Sequence, residues 1–459
     1  MSRATGSHRV QGSRSGAGRE LSRLLLIWAT LQAALFLYFF SCAIYPLPRW
    51  DHYDWIAGYF GADSLGTWLW QPHNVHRIVP TKLAVLVDIE IFRGLLTPIA
   101  LASLFMLTGW LAVLVRTANT VDNLEHRSRT AFTGLLLILS LQTYTLDSYT
   151  YPANNQFPVS IFLLVCAVCS LLRAAQDSQP GQRRTPWLLA ALCAAIACTF
   201  SSLNGLFVWP ILAYLCWKTR LRAGLPLVLG IAAPVLALHL TGLAGVAGHG
   251  SDLPAPARFA GYLVAYFGMP WAAVNSLSTA GVLVGAGVLL LCAHALLARG
   301  LRRDPATGLE NIGLALILYA VMTALMTSLG RSAQFDMPAH RYTVFAVLAH
   351  TGLLCVYWRP LWRRLQATAH HTAGYGLAVA LGVVILCQQV AVGLFACERA
   401  EAFARLKAQI LRGDRSAALI DQVYYDARRY PAHLALMRRE GIYLYRRGAH
   451  GAASTDSNP

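Results

Sequence analysis

Long apolar runs with almost no charge constrain this chain more than any other feature. Eleven such segments occur along the 459 residues. They cover residues 24–45, 95–115, 131–145, 158–174, 187–203, 205–217, 225–242, 277–298, 312–329, 342–358 and 373–396. A soluble domain carries roughly 25% charged residues, whereas this chain carries 13% and has a mean hydropathy of +0.47. The sequence therefore predicts an all-α, polytopic membrane protein with about eleven transmembrane helices.

The net charge of +17 is explained by membrane topology rather than by nucleic-acid binding. If the N-terminus is cytoplasmic, every inside stretch carries at least three Arg or Lys residues, whereas the outer loops carry few. This distribution follows the positive-inside rule. The first apolar run, 24–45, is too long for the core of a cleavable signal peptide and is expected to remain as a span. We expect a multi-pass inner (plasma) membrane protein with a cytoplasmic N-terminus and an extracytoplasmic C-terminus.

Three regions are predicted along the chain. They are a cytoplasmic basic tail at 1–23, a transmembrane domain at 24–396 and an extracytoplasmic helical tail at 397–459. The transmembrane domain contains a long outer loop, 46–94, whose many Trp and Tyr residues suit the headgroup level of a membrane. Within this loop, 78–92 is typical of an amphipathic helix with Pro80 in its first turn. Of the ten cysteines, only Cys397 is expected to approach the outer surface, so no structural disulfide is predicted.

Ionisable residues concentrate at the outer interface, where two stretches are candidates for chemistry. In the first, Asp51 and Asp54 follow the first span; a solvated loop start with an aromatic belt is the alternative interpretation. The second runs through His73, Asn74, His76 and Arg77 into a predicted helix that carries Lys82.

The second stretch favours an anion over a metal. Two histidines three residues apart can share a helix face and bind a metal. No third ligand is evident, so no cofactor is predicted and a divalent metal remains the lesser alternative. His76, Arg77 and Lys82 lie beside a helix start, which favours phosphate. A later outer loop is expected to add charge through Arg331, Arg341 and Tyr342.

These features resemble the glycosyltransferase C superfamily, whose members are membrane enzymes that use polyprenyl-phosphate-linked sugars. The likeness lies in a first span entered from the cytoplasm and in a large first outer loop with aspartates at its start and two amphipathic helices. The chain is also similar to a group of poorly characterised bacterial membrane proteins. These share an HNxHR-type element, here 73–77 with Val75 where an acid is expected, and a Gly-Arg to Arg-Tyr element, here 330–342.

The resemblance implies sugar transfer from a polyprenyl-phosphate donor to a glycan, lipid or protein acceptor on the extracytoplasmic face. It implies that Asp51, with Asp54 as the second choice, deprotonates the acceptor hydroxyl, while Arg and His side chains hold the lipid phosphate. The expected partners are the lipid-linked sugar and membrane lipid, and not nucleic acid. The alternative is a transporter or flippase of lipid-linked saccharides without catalytic activity, which the lack of repeats and of buried charges disfavours. A polymerase or ligase of lipid-linked glycans is a third interpretation.

Overall fold

The computed structural model describes residues 7–74, 76–176, 184–243, 254–272, 279–302, 306–368 and 372–446. Within these ranges the chain is helical, and its only β-type pairing is an isolated bridge between His73 and His76. The α-helices are α1 Ser7–Cys42, α2 Asp51–Gly61, α3 Leu65–Trp70, α4 Val79–Glu90, α5 Thr97–Asp122, α6 His126–Ser140, α7 Leu146–Thr150, α8 Gln156–Gln176, α9 Arg184–Thr199, α10 Val208–Lys218, α11 Gly224–Leu240, α12 Pro256–Gly268, α13 Thr279–Ala295, α14 Gly308–Arg331, α15 Thr343–Thr368, α16 Thr372–Leu411, α17 Ala417–Val423 and α18 Tyr430–Glu440.

Each of the eleven predicted apolar segments coincides with a helix. Among the described residues, seven helices are long and apolar enough to cross a membrane, namely those of α1, α5, α8, α13, α14, α15 and α16. The prediction of an all-α polytopic membrane protein is therefore confirmed. The count of eleven spans is not confirmed, because the helices α6, α9, α10 and α11 are shorter than the roughly 20 residues that a bilayer requires.

Small residues allow the membrane helices to approach each other closely. Gly313 on α14 faces Gly352 on α15, and a Cβ atom added to Gly313 would lie 2.5 Å from the Gly352 carbonyl oxygen. Gly134 on α6 packs in the same way against the backbone of Leu25 on α1. Between membrane helices, such close packing is a main source of attraction, since lipid is as apolar as the side chains themselves.

The outer loop and the C-terminal tail share a second hydrophobic cluster outside the bundle. Helix α16 runs without a break from the membrane into the tail and is followed by Gly413, whose φ of +95° turns the chain back. Tail side chains such as Phe403 and Tyr430 pack in one cluster with Tyr53 and Trp68 of the loop. The two segments therefore fold as one unit, and this unit carries most of the predicted site residues.

Candidate active site

Asp51 is the first residue of α2, where the positive end of the helix dipole favours a carboxylate. The residue before it, Trp50, has a φ of +49° and donates its backbone N–H to the carbonyl oxygen of Val423 at 2.8 Å. The tail thereby fixes the point at which α2 begins. The Asp51 side chain is nevertheless 42% exposed, so a substrate hydroxyl can reach it.

A tight turn presents His73 to Asp51. The backbones of His73 and His76 exchange two hydrogen bonds of 2.8 and 3.1 Å, and Asn74 between them has a φ of +50°, which asparagine tolerates. Val75, where an acid was expected, lies outside the described residues. The indole nitrogen of Trp55 donates to Nδ1 of His73 at 3.0 Å. Because an indole can only donate, Nδ1 is the acceptor and the proton of the neutral ring is on Nε2. Nε2 lies 3.3 Å from Oδ2 of Asp51.

The surroundings of Asp51 keep its carboxylate ionised. Burial alone would raise its pKa, but the interaction with His73 and, to a smaller extent, that with Arg341 outweigh this effect and lower the pKa below the usual value. The guanidinium of Arg49, two residues before Asp51, is stacked on the rings of Trp50, at 3.8 Å, and of Phe403, at 4.8 Å.

Arg341 is close enough to interact electrostatically with two carboxylates, those of Asp51 and Asp147. Among the residues that the structure describes, its guanidinium forms no ion pair within 4.0 Å. The guanidinium carbon lies 5.2 Å from the ring centre of Tyr342. Arg331, exposed at the end of α14, acts together with Arg341 on the buried hydroxyl of Tyr262. The two arginines of the late loop therefore belong to the same neighbourhood, and only Arg341 is close enough to influence Asp51 appreciably.

Arg77 and Lys82 hold the loop together through backbone carbonyl oxygens. Arg77 donates to the carbonyl of Trp70 at 2.6 Å and to that of Thr241, and its guanidinium lies over the Trp70 ring. The amino group of Lys82 donates to the carbonyls of Trp68, at 2.5 Å, and Gln71, at 2.7 Å. Burial, with a smaller effect from Arg77, lowers the pKa of Lys82 to about 8. Both cations were predicted to bind phosphate, and both are already used to order the chain that leads to His73.

His76 is buried, and burial lowers its pKa to about 3. The ring is therefore neutral at physiological pH and adds no positive charge for an anion. Its Nδ1 atom is buried and has no hydrogen-bond partner among the described residues. Of the predicted anion-binding cations, Arg331 and Arg341 are therefore the candidates that remain, since neither forms an ion pair within 4.0 Å among the described residues.

Asp54 attaches the tail to α2. It accepts hydrogen bonds from the hydroxyl of Tyr424, at 2.7 Å, and from that of Tyr425, and it forms an ion pair of 3.1 Å with Arg429. His433 lies 3.8 Å away. Both carboxylate oxygens of Asp54 are therefore occupied by side chains of the tail. Asp51 lies one helical turn earlier, and its carboxylate contacts His73 instead. No local sequence pattern predicts this arrangement, because the partners lie about 370 residues further along the chain.

Another carboxylate, Asp147, is 17% exposed and lies near Arg341. Its Oδ1 atom accepts a hydrogen bond from the Tyr45 hydroxyl at 3.0 Å and pairs with Arg399 at 2.8 Å. Burial would raise the pKa of Asp147, but Arg399 and the Tyr45 hydrogen bond lower it below the usual value. The sequence indicates Asp147 as an outward acid, and only the fold reveals its partners.

An apolar groove of about 420 Å³ adjoins the loop 46–94. It is lined by Leu69, Trp70, Val79, Pro80, Ala197 and Phe200. Its wall includes the ring of Trp70, on which Arg77 is stacked. Trp70 lies three residues before His73 in the sequence. Among the described residues, no three His, Cys, Asp or Glu side chains are grouped to hold a metal ion.

Comparison with known proteins finds similarity only at the level of structure. No protein-family model matches the chain, and no curated protein sequence does. Two solved structures are similar, both of ArnT from Cupriavidus metallidurans. The apo structure has a TM-score of 0.45 and 16% identity, with 90% of this chain and 77% of that chain covered. The structure bound to undecaprenyl phosphate has a TM-score of 0.47 and 17% identity, with 93% and 78% covered.

Proposed function

We propose that this chain is a membrane glycosyltransferase that moves a sugar from a polyprenyl-phosphate donor to a glycan, lipid or protein acceptor on the extracytoplasmic face. One observation carries the proposal. The accessible Asp51 carboxylate is ionised and oriented by His73, and it interacts electrostatically with Arg341, which forms no ion pair within 4.0 Å among the described residues. A base with a cation nearby suits a reaction that takes a proton from one reactant and leaves negative charge on the other.

In the proposed reaction the acceptor hydroxyl attacks the anomeric carbon of the donor sugar. The new glycosidic bond forms as the bond to the phosphate oxygen breaks, and the polyprenyl phosphate leaves with the electron pair. Asp51 takes the hydroxyl proton, an effect that is typically worth roughly 10²–10⁴-fold in rate. Arg341 stabilises the charge that develops on the leaving phosphate, which a guanidinium fork can contact through two N–H groups.

The donor lipid is proposed to lie along the loop. Part of the polyprenyl chain would occupy the apolar groove beside Trp70 and Phe200, which has no polar lining. From there the phosphate would reach Arg341, with Arg331 adding longer-range charge. In this arrangement Arg77 and Lys82 act by fixing the loop through its carbonyl oxygens, and they do not need to touch the phosphate.

The proposal is tested with Asp51→Asn in the full-length protein in membranes. The change is nearly isosteric and lies near solvent, so insertion and folding should be unchanged. Transfer of a radiolabelled sugar from undecaprenyl phosphate to total membrane acceptors should fall by at least 100-fold, the lower bound for loss of a general base. The matched control is Asp63→Asn, another exposed aspartate of the same loop, which should keep full activity.

Binding of undecaprenyl phosphate separates catalysis from recognition. Asp51→Asn should bind it as the wild type does, whereas Arg341→Gln should bind it at least tenfold more weakly. Full transfer by Asp51→Asn with loss in Asp54→Asn would move the catalytic role to Asp54. Normal transfer by both variants would exclude the proposed mechanism and favour a flippase, which needs no base.

A further inference from the structure

Two thiols lie together where the last turn of α1 packs against α16. Cys42 is the last residue of α1, and Cys397 precedes the part of α16 that enters the tail. Both are free thiols in the structure, with Cys42 exposed and Cys397 half-buried. The Cys42 and Cys397 side chains are close enough to interact with each other. This pairing was not expected from the sequence, which placed only Cys397 near the outer surface.

The packing of α1 on α16 explains why these two residues are opposite each other. The contacts advance in the same direction along both helices, so the helices are parallel. The contacting positions, in order, are Trp28 with Gly382, Gln32 with Gln389 and Phe39 with Gly393. The next turn outward on each helix contains Cys42 and Cys397. Their proximity is therefore a consequence of the helix register and not of one side-chain orientation.

The two helices also cross closely one turn before the cysteines. A Cβ atom added to Gly393 would lie 2.3 Å from the Phe39 ring, so the helices approach more closely than a larger residue would allow. A disulfide needs Cα atoms within about 7 Å. Because Cys42 ends its helix, its backbone can adjust to the geometry of the bond without disturbing a following turn.

We propose that Cys42 and Cys397 form a disulfide bond on the extracytoplasmic face. Each thiol loses a proton, and the pair gives up two electrons as the sulfur–sulfur bond forms. The electrons pass by thiol–disulfide exchange to an oxidant of the disulfide class, whose own bond is reduced to two thiols. Extracytoplasmic compartments of bacteria are oxidising and maintain such bonds. The inference does not depend on the proposed transfer reaction, but it requires the outer orientation that the charge pattern predicts.

The disulfide bond would stabilise the contacts that hold the Asp147 side chain in place. Tyr45 lies three residues after Cys42, and Arg399 lies two residues after Cys397. Both contact the same Oδ1 atom of Asp147, at 3.0 and 2.8 Å. A bond between Cys42 and Cys397 therefore limits how far Tyr45 and Arg399 can move apart. Asp147, which both residues contact, lies near Arg341.

The test uses the full-length protein in cells with an oxidising outer compartment. Cells are quenched in acid, denatured and labelled with a maleimide-polymer reagent, with or without prior reduction. Of the ten cysteines, the oxidised protein should expose eight before reduction and ten after it. Cys42→Ser and Cys397→Ser should each abolish the difference. The matched control is Cys387→Ser, which removes an exposed thiol from the same helix and should keep it.

Mass spectrometry of the non-reduced digest should find the peptide of Cys42 joined to that of Cys397. Reduction should also lower the melting temperature of the wild type and leave that of Cys42→Ser unchanged. Ten reactive thiols in cells would overturn the proposal, even if the bond forms later in purified protein. A bond that involves other cysteines, or that survives in Cys42→Ser, would overturn it as well.

Discussion

Replacing His73 with alanine should shift the pH dependence of transfer through its effect on Asp51. The variant removes the Nε2–H donor that lies 3.3 Å from the carboxylate, while the partial burial of Asp51 remains. Since burial raises a carboxyl pKa and the lost hydrogen bond had lowered it, the pKa of Asp51 must rise. A base with a raised pKa loses its active, ionised form at a higher pH.

The size of the shift follows from the geometry. A hydrogen bond to a charged group contributes roughly 1.5–3 kcal/mol. The contact is long, and the Asp51 side chain is 42% exposed, so solvent screening favours the lower end, about 1.5 kcal/mol. One pKa unit corresponds to about 1.4 kcal/mol, so the expected rise is about one unit.

The assay is the pH profile of kcat/KM for transfer from undecaprenyl-phosphate sugar, measured from pH 4.5 to 8.5. The acidic limb of His73→Ala should move up by about one pH unit, with a smaller loss of rate on the plateau. His73→Gln keeps an N–H donor but has no imidazole ring, and it should return the acidic limb most of the way to its wild-type position. Trp55→Phe removes the donor to Nδ1 and should shift the limb less, in the same direction. An unmoved acidic limb in His73→Ala, with the rate reduced equally at every pH, would refute the role assigned to His73.

Three further predictions concern the tail, a buried acid and the topology. Asp54→Ala removes the carboxylate that accepts hydrogen bonds from Tyr424, Tyr425 and Arg429, which costs about 3 kcal/mol of local stability. Limited proteolysis should therefore cut the tail of this variant faster than that of the wild type. The control Glu401→Ala breaks an exposed ion pair and should not change the rate of cleavage. Burial raises the pKa of Asp88 to about 6, so the folded protein should lose up to about 3 kcal/mol of stability as the pH rises from 4 to 7. In thermal melts, Asp88→Asn should show a smaller decrease of melting temperature over this pH range. An equal decrease in both proteins would contradict the role assigned to Asp88. A reporter active only in the cytoplasm should be silent after Pro459; activity there would place a miscounted span within 187–217.

The helices of this chain were predictable because their signals are local. Apolar runs, with Pro80 at a helix start, locate the spans and α4 from neighbouring residues alone. Asp51 is likewise placed at an ordered position by its nearness to the first span. The contacts that distinguish Asp51 from Asp54 are not local, since they depend on how the tail and the late outer loop return to α2.

Arg77 and Lys82 show why a local rule misjudged part of the site. Cations beside a helix start suggest an anion, and this reasoning assumes that their charges face solvent. In the fold both side chains are 3% exposed. A buried cation is costly unless its donors are satisfied, and carbonyl oxygens of the loop satisfy them here. The sequence contains the residues for either arrangement, and only tertiary packing selects one.

The tail is better understood as part of the candidate active site than as an appended segment. The inner face of α2 presents Tyr53 to Tyr424 and Tyr430, with ring centres 5.4 Å apart in both pairs. Without these partners that face would lose its main apolar cover, and Trp50 would lose the Val423 carbonyl that sets the start of the helix. Asp51 is the next residue after Trp50. The hydrophobic contacts that orient the proposed base therefore cross position 397, where the sequence suggested a boundary, and a chain that lacks its tail should not be able to hold Asp51 beside His73.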